Sequence, residues 1–367
     1  MFEKALEVLK EFTNNGYSAY IVGGYVRDFL LKRETIDIDI CTSATPKEIA
    51  SIFKLDTVMD KEYGSAKINY KGYKFDITTY RKEKKYLDNR RPSEIEYIDN
   101  VKDDLLRRDF TINTFCMDSD ENVLDMLAVL DDLNKKVIKT VGDPKYRIKE
   151  DCLRILRAIR FATILDFDID KNTKFYLKKY GYLLKHLSFN RKKEELDKIF
   201  TSVNKEKGIN LILELKLDKY LEIDNLKNLM LCDNTIGLWA QMNVSSKYPF
   251  SSLEMEQMEK IRELMSMNIY DKYVIYKYGL YLTTIVCEIK GLDKKLLNEI
   301  RNSLAITKQS DIDITALQIS DALLMKPGKY IKDIFSDLEE NIVIDNLENR
   351  YEVIKDYIIS KYSESGK

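Results

Sequence analysis

Histidine is almost absent from this chain of 367 residues, since His186 is the single one. Catalysis by histidine and metal sites built from histidine are therefore nearly excluded. The five cysteines are odd in number and lack paired spacing, so neither a disulfide framework nor a zinc site is indicated, and we expect buried thiols. If a metal ion takes part in function, carboxylates must hold it.

Long apolar runs are also missing. No stretch reaches the length of about 20 residues that a membrane-spanning helix needs, and the segment Met1 to Glu7 carries acids where a signal peptide would carry basic and then apolar residues. We therefore expect no membrane association and a cytoplasmic location. The net charge of −1 gives no overall attraction to nucleic acid, although Lys71 to Arg91 and Lys171 to Lys193 are locally basic.

Proline and glycine are scarce as well, with 5 and 13 residues respectively. From Asp143 onward the pattern predicts helix almost without interruption. Because 44% of the residues are hydrophobic, the chain can bury a substantial core, divided into two or more domains.

The stretch from Tyr20 to Cys41 organises the rest of the chain. It predicts a strand at Ala19 to Val22, a turn at Gly23-Gly24, a helix at Val26 to Lys32 and a second strand at Ile36 to Ile40. Side chains of a strand alternate between its two faces. We therefore expect the three isoleucines of the second strand in a core and its two aspartates together on the other face.

Those two aspartates, Asp37 and Asp39, would form a hard oxygen site suited to Mg²⁺. The preceding turn leads into a helix N-terminus, where free N–H groups and the helix dipole favour phosphate. A solvated strand face is the alternative, but aspartate is a poor strand former, which favours a function. Asp76, on the second strand of a hairpin predicted at residues 66–81, could join the pair.

Three later segments are rich in polar groups. Residues 82–93 are charged and aperiodic and predict a mobile loop, whose Asp88 and Arg90 could form alternative pairs with the helix predicted at Lys149 to Ile164. A helix predicted at Lys149 to Ile164 carries more cations than ion pairing requires, which suits phosphate and base edges. For both helical clusters a solvated face with salt bridges is the alternative. The clusters are Arg107, Arg108, Asp109 and Asn113 in the first, and Asp151, Arg154, Arg157 and Arg160 in the second.

In this order the segments resemble the bacterial tRNA nucleotidyltransferase and poly(A) polymerase family, the class II nucleotidyltransferases. GGYVRD at 23–28 with the two aspartates resembles its metal and triphosphate motif, RRDFTIN at 107–113 its ribose motif, and EDCLR at 150–154 its base-selecting motif. The likeness covers about residues 18–165 and continues more weakly to about Phe200. It implies an α+β fold with a small mixed β-sheet: a nucleotidyltransferase head at 1–142, then a helical neck at 143–205, body at 206–300 and tail at 301–367.

The resemblance also implies roles for individual residues. Asp37 and Asp39 would be catalytic and hold Mg²⁺, while Gly24 and Arg27 would contact the triphosphate. Arg108 and Asp109 would contact ribose or phosphate. Base selection would fall to Asp151 and Arg154, with Arg157 and Arg160 on the nucleotide side of the same helix.

The activity implied is template-independent addition of CCA to tRNA 3′ ends from CTP and ATP by two-metal nucleotidyl transfer, with the helical domains holding the acceptor stem. Cytosine and adenine share an exocyclic amine where uracil and guanine present a carbonyl, so one carboxylate can accept from the first two and repel the others. A poly(A) polymerase or a CC- or A-adding enzyme is the alternative, and a non-catalytic RNA-binding helical protein is a remote one. The sequence predicts no oligomeric state.

Two departures from the family pattern concern segments outside the metal and base motifs. A Gly-Gly pair is replaced by Ala128-Val129, which puts the hinge role of that segment in doubt. A Glu-Arg pair near the end of the neck is replaced by Asn190-Arg191, so only the arginine is kept.

Overall fold

A computed structural model describes residues 1–53, 58–60, 64–87 and 91–363. The chain forms two compact units, of which the first comprises Met1–Leu226 with Ser245–Pro249 and the second Lys227–Val244 with Phe250–Lys367. The boundaries expected for head, neck, body and tail stay predictions. Among the described residues, no helix is both long and apolar enough to cross a membrane.

The first unit begins with a mixed β-sheet. Its strand order is β3-β4-β5-β2-β1-β8-β9, with β2 parallel to β5 and the other neighbours antiparallel. This sheet, followed by a mostly helical remainder, confirms the predicted α+β class. In chain order the strands are β1 (Ala19–Val22), β2 (Asp39–Thr42), β3 (Val58–Asp60), β4 (Ser65–Tyr70), β5 (Tyr73–Thr79), β6 (Arg81–Leu87), β7 (Arg91–Tyr97), β8 (Cys116–Met117), β9 (Val123–Leu124), β10 (Val137–Ile138), β11 (Asp168–Ile169), β12 (Ile223–Asp224) and β13 (Asn243–Val244).

Helices make up most of the remaining chain. They are α1 (Phe2–Asn14), α2 (Gly24–Leu30), α3 (Pro46–Phe53), α4 (Val101–Leu106), α5 (Leu130–Asn134), α6 (Pro144–Glu150), α7 (Leu153–Ile164), α8 (Lys171–Lys179), α9 (Phe189–Phe200), α10 (Lys205–Glu214), α11 (Asp218–Leu221), α12 (Thr235–Gln241), α13 (Ser252–Leu264), α14 (Lys272–Ile289), α15 (Lys294–Asn302), α16 (Ala316–Ala322), α17 (Tyr330–Val343) and α18 (Tyr351–Tyr362). Short 3-10 helices lie at Thr111–Asn113, Gly181–His186, Leu226–Asn228 and Gln309–Asp311.

One part of the core of the first unit lies where α1 and α3 pack on the sheet. Ile40 of β2 and Ile77 of β5 are buried side by side in the parallel register. All five cysteines are buried and free, which confirms the prediction from their spacing. The β4–β5 hairpin is confirmed too, with its turn at Lys71 and Gly72 in the left-handed region, at φ 50° and 86°.

The second strand of the organising stretch is shorter than predicted. It begins at Asp39, because its partner β1 ends at Val22, which lies opposite Asp39. Asp37 therefore precedes the strand. Ile38 and Ile40 are buried as expected, but Ile36 is 82% exposed, so the prediction that it belongs to the core is wrong.

The helix predicted over Lys149 to Ile164 is broken into α6 and α7. Asp151 adopts extended backbone angles at the break, φ −142° and ψ 106°. Its carboxylate oxygen Oδ1 accepts a hydrogen bond from the backbone N–H of Leu153 at 2.9 Å, which satisfies a free donor at the start of α7. The break separates the base-motif aspartate from the arginine-bearing helix that follows it.

The prediction that residues 82–93 form a loop is wrong. Its two arms form the antiparallel strands β6 and β7, which are in register from Arg81 opposite Tyr97 to Leu87 opposite Arg91. Residues 88–90 lie outside the described residues, and so does the expected pairing of Asp88 and Arg90.

The segment that lacks the family's glycine pair keeps a glycine-like backbone. Ala128 lies in the left-handed region at φ 55°, where a side chain costs about 1 kcal/mol. The carboxylate of Asp125 accepts hydrogen bonds from the N–H groups of Val129 at 3.0 Å and Leu130 at 2.7 Å. These bonds stabilise the turn that leads into α5.

Candidate active site

One cavity of about 900 Å³ lies in the first unit. Its walls come from the β1–α2 turn, the start of β2, the segment after α4, and α7. All the residues that the sequence nominated line it: Gly24, Arg27, Asp37, Asp39, Arg108, Asp109, Asp151, Arg154, Arg157 and Arg160. The structure thus brings the ten together, while their individual roles stay predictions.

The cavity is strongly cationic. Eight arginines against four aspartates leave four net positive charges, which matches the charge of a nucleoside triphosphate near neutral pH. The sequence interpretation counted Arg81 only within a basic segment and gave Phe161 no role, and it named Arg107, Asn113 and Arg191 only within motifs. Their side chains reach the cavity through tertiary packing, which spacing does not show.

Asp37 and Asp39 face the cavity beside each other. Loss of hydration raises the pKa of Asp39, and the charge of Asp37 raises it further, while Arg108 lowers it. Asp76 lies opposite Asp39 in the strand register, but its carboxylate is 3.3 Å from the ammonium group of Lys67 and it does not line the cavity. A bound cation would offset the repulsion between these two neighbouring carboxylates.

The donor set fits a magnesium ion held partly by its substrate. Within the described ranges, no group of three or more histidine, cysteine or acidic residues could enclose a metal ion. Mg²⁺ is usually bound by one or two carboxylates together with substrate phosphates and water, rather than by a complete protein cage. A pair of aspartates beside an arginine-rich wall matches that arrangement.

The glycine turn approaches this carboxylate pair closely. Gly23 has φ 76° and ψ −131°, a conformation that favours glycine. A Cβ atom at Gly23 would lie 3.3 Å from Nη1 of Arg108 and 3.8 Å from Oδ2 of Asp39. The absence of a side chain therefore keeps the space between the turn and the carboxylates open.

Arg27 is buried below the turn and held by two partners. Its Nε and Nη2 donate to the two carboxylate oxygens of Asp28 at 2.9 and 2.8 Å, and its Nη1 donates to Oδ1 of Asn113 at 2.8 Å. Three of its five N–H groups are thereby used. The guanidinium is fixed in place at the cavity wall.

Asp104, which was not predicted as a site residue, organises the next pair of arginines. It is fully buried, and its Oδ1 accepts from the backbone N–H of Arg81 at 3.1 Å and from Nε of Arg107 at 2.8 Å. Its Oδ2 lies 3.6 Å from Nη2 of Arg108. Burial works against the charge of Arg108, but the carboxylate of Asp104 leads the interactions that raise the pKa of Arg108 overall.

Asp109 is surrounded by hydrogen-bond donors. Oδ1 accepts from the N–H of Phe110 at 2.8 Å and from Nδ2 of Asn113 at 3.0 Å, and Oδ2 accepts from Nε of Arg157 at 2.7 Å. Burial works against ionisation, but the charge of Arg157 and these hydrogen bonds lower the pKa of Asp109 to about 2. Its oxygens are occupied by the protein, so a ribose contact would have to compete with these donors.

The two residues of the base motif, Asp151 and Arg154, differ in how many hydrogen bonds they make within the protein. Burial raises the pKa of Asp151, and the charge of Arg154 partly offsets this. Arg154 is itself buried and donates to the carbonyl of Arg147 at 2.8 Å, the carboxylate of Glu150 at 3.1 Å and the carbonyl of Arg107 at 3.1 Å. These hydrogen bonds connect α6 with the ribose motif.

Phe161 lies under three guanidinium groups. Its ring centroid is 5.3 Å from Cζ of Arg27, 5.3 Å from Cζ of Arg157 and 4.5 Å from Cζ of Arg160. Nε of Arg160 also lies 3.0 Å from Oε2 of Glu195 on α9. The electron-rich face of one ring thus stabilises cations from two separate parts of the chain.

Three family models match consecutive parts of the chain. The Poly A polymerase head domain matches residues 19–139, the "Probable RNA and SrmB-binding site of polymerase A" matches residues 166–226, and the tRNA nucleotidyltransferase domain 2 matches residues 247–358. The first of these contains the glycine turn, the aspartate pair and the ribose motif.

Relatives and solved structures match nearly the full length. The CCA-adding enzyme of Streptococcus agalactiae serotype V is 32% identical, covering 97% of this chain and 96% of its own, and that of Staphylococcus haemolyticus is 32% identical, covering 100% and 99%. The crystal structure of the Bacillus stearothermophilus CCA-adding enzyme in complex with CTP matches with a TM-score of 0.86 and 24% identity over 99% of this chain and 98% of that one. The Thermotoga maritima CCA-adding enzyme complexed with tRNA_CCA matches with a TM-score of 0.71 and 20% identity over 98% and 94%. On this full-length likeness, the chain belongs to the family of CCA-adding enzymes.

Proposed function

We propose that this chain adds CCA to the 3′ end of tRNA from CTP and ATP, and that its own side chains choose the base. The observation that carries the proposal is one cavity that is lined by an aspartate pair, a glycine turn and the base-motif residues. The relatives that match over the full length are named CCA-adding enzymes. The activity of a nucleotidyltransferase needs all three groups within the reach of one nucleotide.

Asp37 and Asp39 would hold Mg²⁺ in the proposed site. When bound there, the metal lowers the pKa of the tRNA 3′-hydroxyl and neutralises charge on the triphosphate. The arginine-rich wall, above all Arg27 and Arg108, holds the triphosphate with its α-phosphorus toward the hydroxyl. Pyrophosphate leaves as the new phosphodiester bond forms. His186 does not line the cavity, so the carboxylates are the bases that this chain offers.

Base choice would depend on Asp151. Its carboxylate accepts from the exocyclic amine of cytosine or adenine and repels the carbonyl of uracil or guanine. Rejection is strong because a buried polar group left unpaired is costly. Arg154 is engaged by carbonyl groups of its own chain, so in this arrangement it positions the motif. Arg157 is the more accessible candidate for a second base contact, since its side chain is 32% exposed and that of Arg154 is 6% exposed.

The RNA would lie along the basic segment that follows the cavity. Residues 171–193 contain eight lysines and arginines and no acid. Within this segment Phe175 is 58% exposed and Tyr182 is 46% exposed. Lysines attract the phosphodiester backbone and exposed rings can contact sugars and bases, so the surface recognises an RNA helix by its shape and charge.

A single assay tests the proposal. The purified protein is given tRNA that lacks its 3′ end, together with CTP, ATP and Mg²⁺, and the products are sequenced. We expect CCA ends; tails of adenosine would indicate a poly(A) polymerase, and products that stop after one or two cytidines would indicate a partial activity. Unmodified tRNA would contradict a catalytic role. A cytoplasmic site of action is part of the proposal and is tested by cell fractionation.

A further inference from the structure

Hydrogen bonds connect the two ends of the proposed nucleotide site. Arg27 of α2 donates from Nη1 to Oδ1 of Asn113 at 2.8 Å. Asn113 donates from Nδ2 to Oδ1 of Asp109 at 3.0 Å, and Arg157 of α7 donates from Nε to Oδ2 of Asp109 at 2.7 Å. This series of hydrogen bonds thus connects the triphosphate motif with the base-motif helix through the side chains of Asn113 and Asp109.

Asn113 is the one residue in this series of hydrogen bonds that must both accept and donate. Arg27 on one side offers only donors, and the ionised Asp109 on the other offers only acceptors. An amide satisfies both with its two ends, a carboxylate would repel Asp109, and an aliphatic side chain would satisfy neither. Because Asn113 is only 6% exposed, water has little room to replace it.

Arg27 and Arg157, at the two ends of this series of hydrogen bonds, also lie over the same aromatic ring. Each lies 5.3 Å from the ring centroid of Phe161, measured from Cζ of Arg27 and of Arg157. A shift of one guanidinium therefore changes the surroundings of the other on the same ring. The hydrogen bonds and the ring hold both cations in a fixed relation.

We propose that Asn113 is a positioning residue that couples the triphosphate end of the site to the base end. The identity of the two ends rests on the proposed function. Asn113 acts through Arg27 and Arg157. A change at this one position will therefore alter both triphosphate affinity and base preference.

The test compares Asn113→Leu with Asn122→Leu in the full-length protein. Asn122 is a matched control, because it also donates from Nδ2 to an aspartate, at 3.0 Å to Oδ2 of Asp118, but it is exposed and lies outside the cavity. Calorimetry with Mg²⁺ present measures Kd for inorganic tripolyphosphate, CTP and UTP. These binding readouts do not require transfer to tRNA, so failure of the proposed function would be seen separately in the tRNA assay with the wild-type protein.

We expect Asn113→Leu to raise the Kd of tripolyphosphate about tenfold and to reduce the preference for CTP over UTP about tenfold, since a hydrogen bond to a charged group contributes at least that factor. Asn122→Leu should match the wild type in both quantities. A change in only one of the two quantities would overturn the coupling. If the leucine variant does not fold, Asn113→Ser is measured instead and the same outcomes decide.

Discussion

Two aspartates of the cavity, Asp39 and Asp109, face opposite conditions. Within the described part of the chain, no hydrogen bond or ion pair engages the carboxylate of Asp39, and its pKa is raised by lost hydration and by the charge of Asp37. Asp109 accepts from Phe110, Asn113 and Arg157, and its pKa falls to about 2. One carboxylate is left open and the other is held by the protein.

One site can thus keep one carboxylate available for a ligand and use another to fix a neighbouring side chain. An open carboxylate beside a second one is unfavourable alone and becomes favourable when a cation binds. A held carboxylate has its acceptors filled and fixes the arginine that pairs with it. We therefore expect changes at the open residue to affect transfer most, and changes at the held residue to affect stability and geometry.

The largest expected effect follows from Asp39→Asn. Incorporation of both C and A should fall roughly a thousandfold or more, because a metal ion supplies several kcal/mol of transition-state stabilisation. The melting temperature should be unchanged or slightly higher, since the substitution removes repulsion from Asp37. Single-turnover incorporation into tRNA measures the first and thermal unfolding the second.

Asp76→Asn is the control for that change. Asp76 lies opposite Asp39 in the sheet but is paired with Lys67 and does not line the cavity. It should retain nearly full activity. An equal loss in the two variants would contradict the assignment of the metal to the pair formed by Asp37 and Asp39.

Asp109→Asn should act mainly on stability. The pKa of Asp109 is lowered from 3.8 to about 2, so the folded state favours its ionised form. This contributes about 2 kcal/mol that is present above pH 4 and is lost as the pH falls toward 2. At pH 7 the free energy of unfolding of the variant should therefore be about 2 kcal/mol lower than that of the wild type, whereas near pH 2 the two values should be alike. Urea titrations at both pH values measure this, and an equal difference at both would exclude the linkage.

Asp151→Ala should relax base choice by about tenfold, the value of one base-edge contact. Incorporation of UTP should rise relative to CTP, because the carboxylate that repels the uracil carbonyl is gone. Ratios of kcat/KM with tRNA lacking its 3′ end measure the effect. An unchanged ratio would mean that Asp151 serves only to start α7 through its bond to Leu153.

A pH series sharpens the same assignment. Burial raises the pKa of Asp151 above its ordinary value, so the carboxylate becomes neutral at a higher pH than a solvent-exposed aspartate would. The preference for CTP over UTP should therefore decline as the pH is lowered, and the decline should begin above the ordinary value of about 3.9. In Asp151→Ala the ratio should not vary with pH over that interval.

The smallest expected effect is that of Phe161→Leu. The ring stabilises each guanidinium above it by about 0.5–1 kcal/mol, so KM for CTP should rise only a few fold. Phe161→Tyr, which keeps the ring, should restore the wild-type value. If the tyrosine variant were as impaired as the leucine variant, packing and not the ring face would be the cause.

Local chemistry explains why much of this site could be read from the sequence. A glycine pair before a short helix, two aspartates two residues apart and an arginine-bearing helix are each defined by near neighbours in the chain. The same holds for the β4–β5 hairpin and for the buried cysteines. The errors concern elements whose limits depend on a partner: β2 starts where β1 permits, and the 82–93 segment becomes a hairpin through pairing between its own arms.

The chemical groups that this protein has available can be listed from residue type and spacing, because these set charge, hydrogen-bonding capacity and secondary-structure preference. The partners of each group depend on the tertiary structure. It turned Arg154 toward backbone carbonyls, filled the acceptors of Asp109, and placed Asn113 between two charged partners. A charged side chain has several possible partners at similar cost, and the choice among them is made by burial and by the packing of distant segments, which no local pattern records.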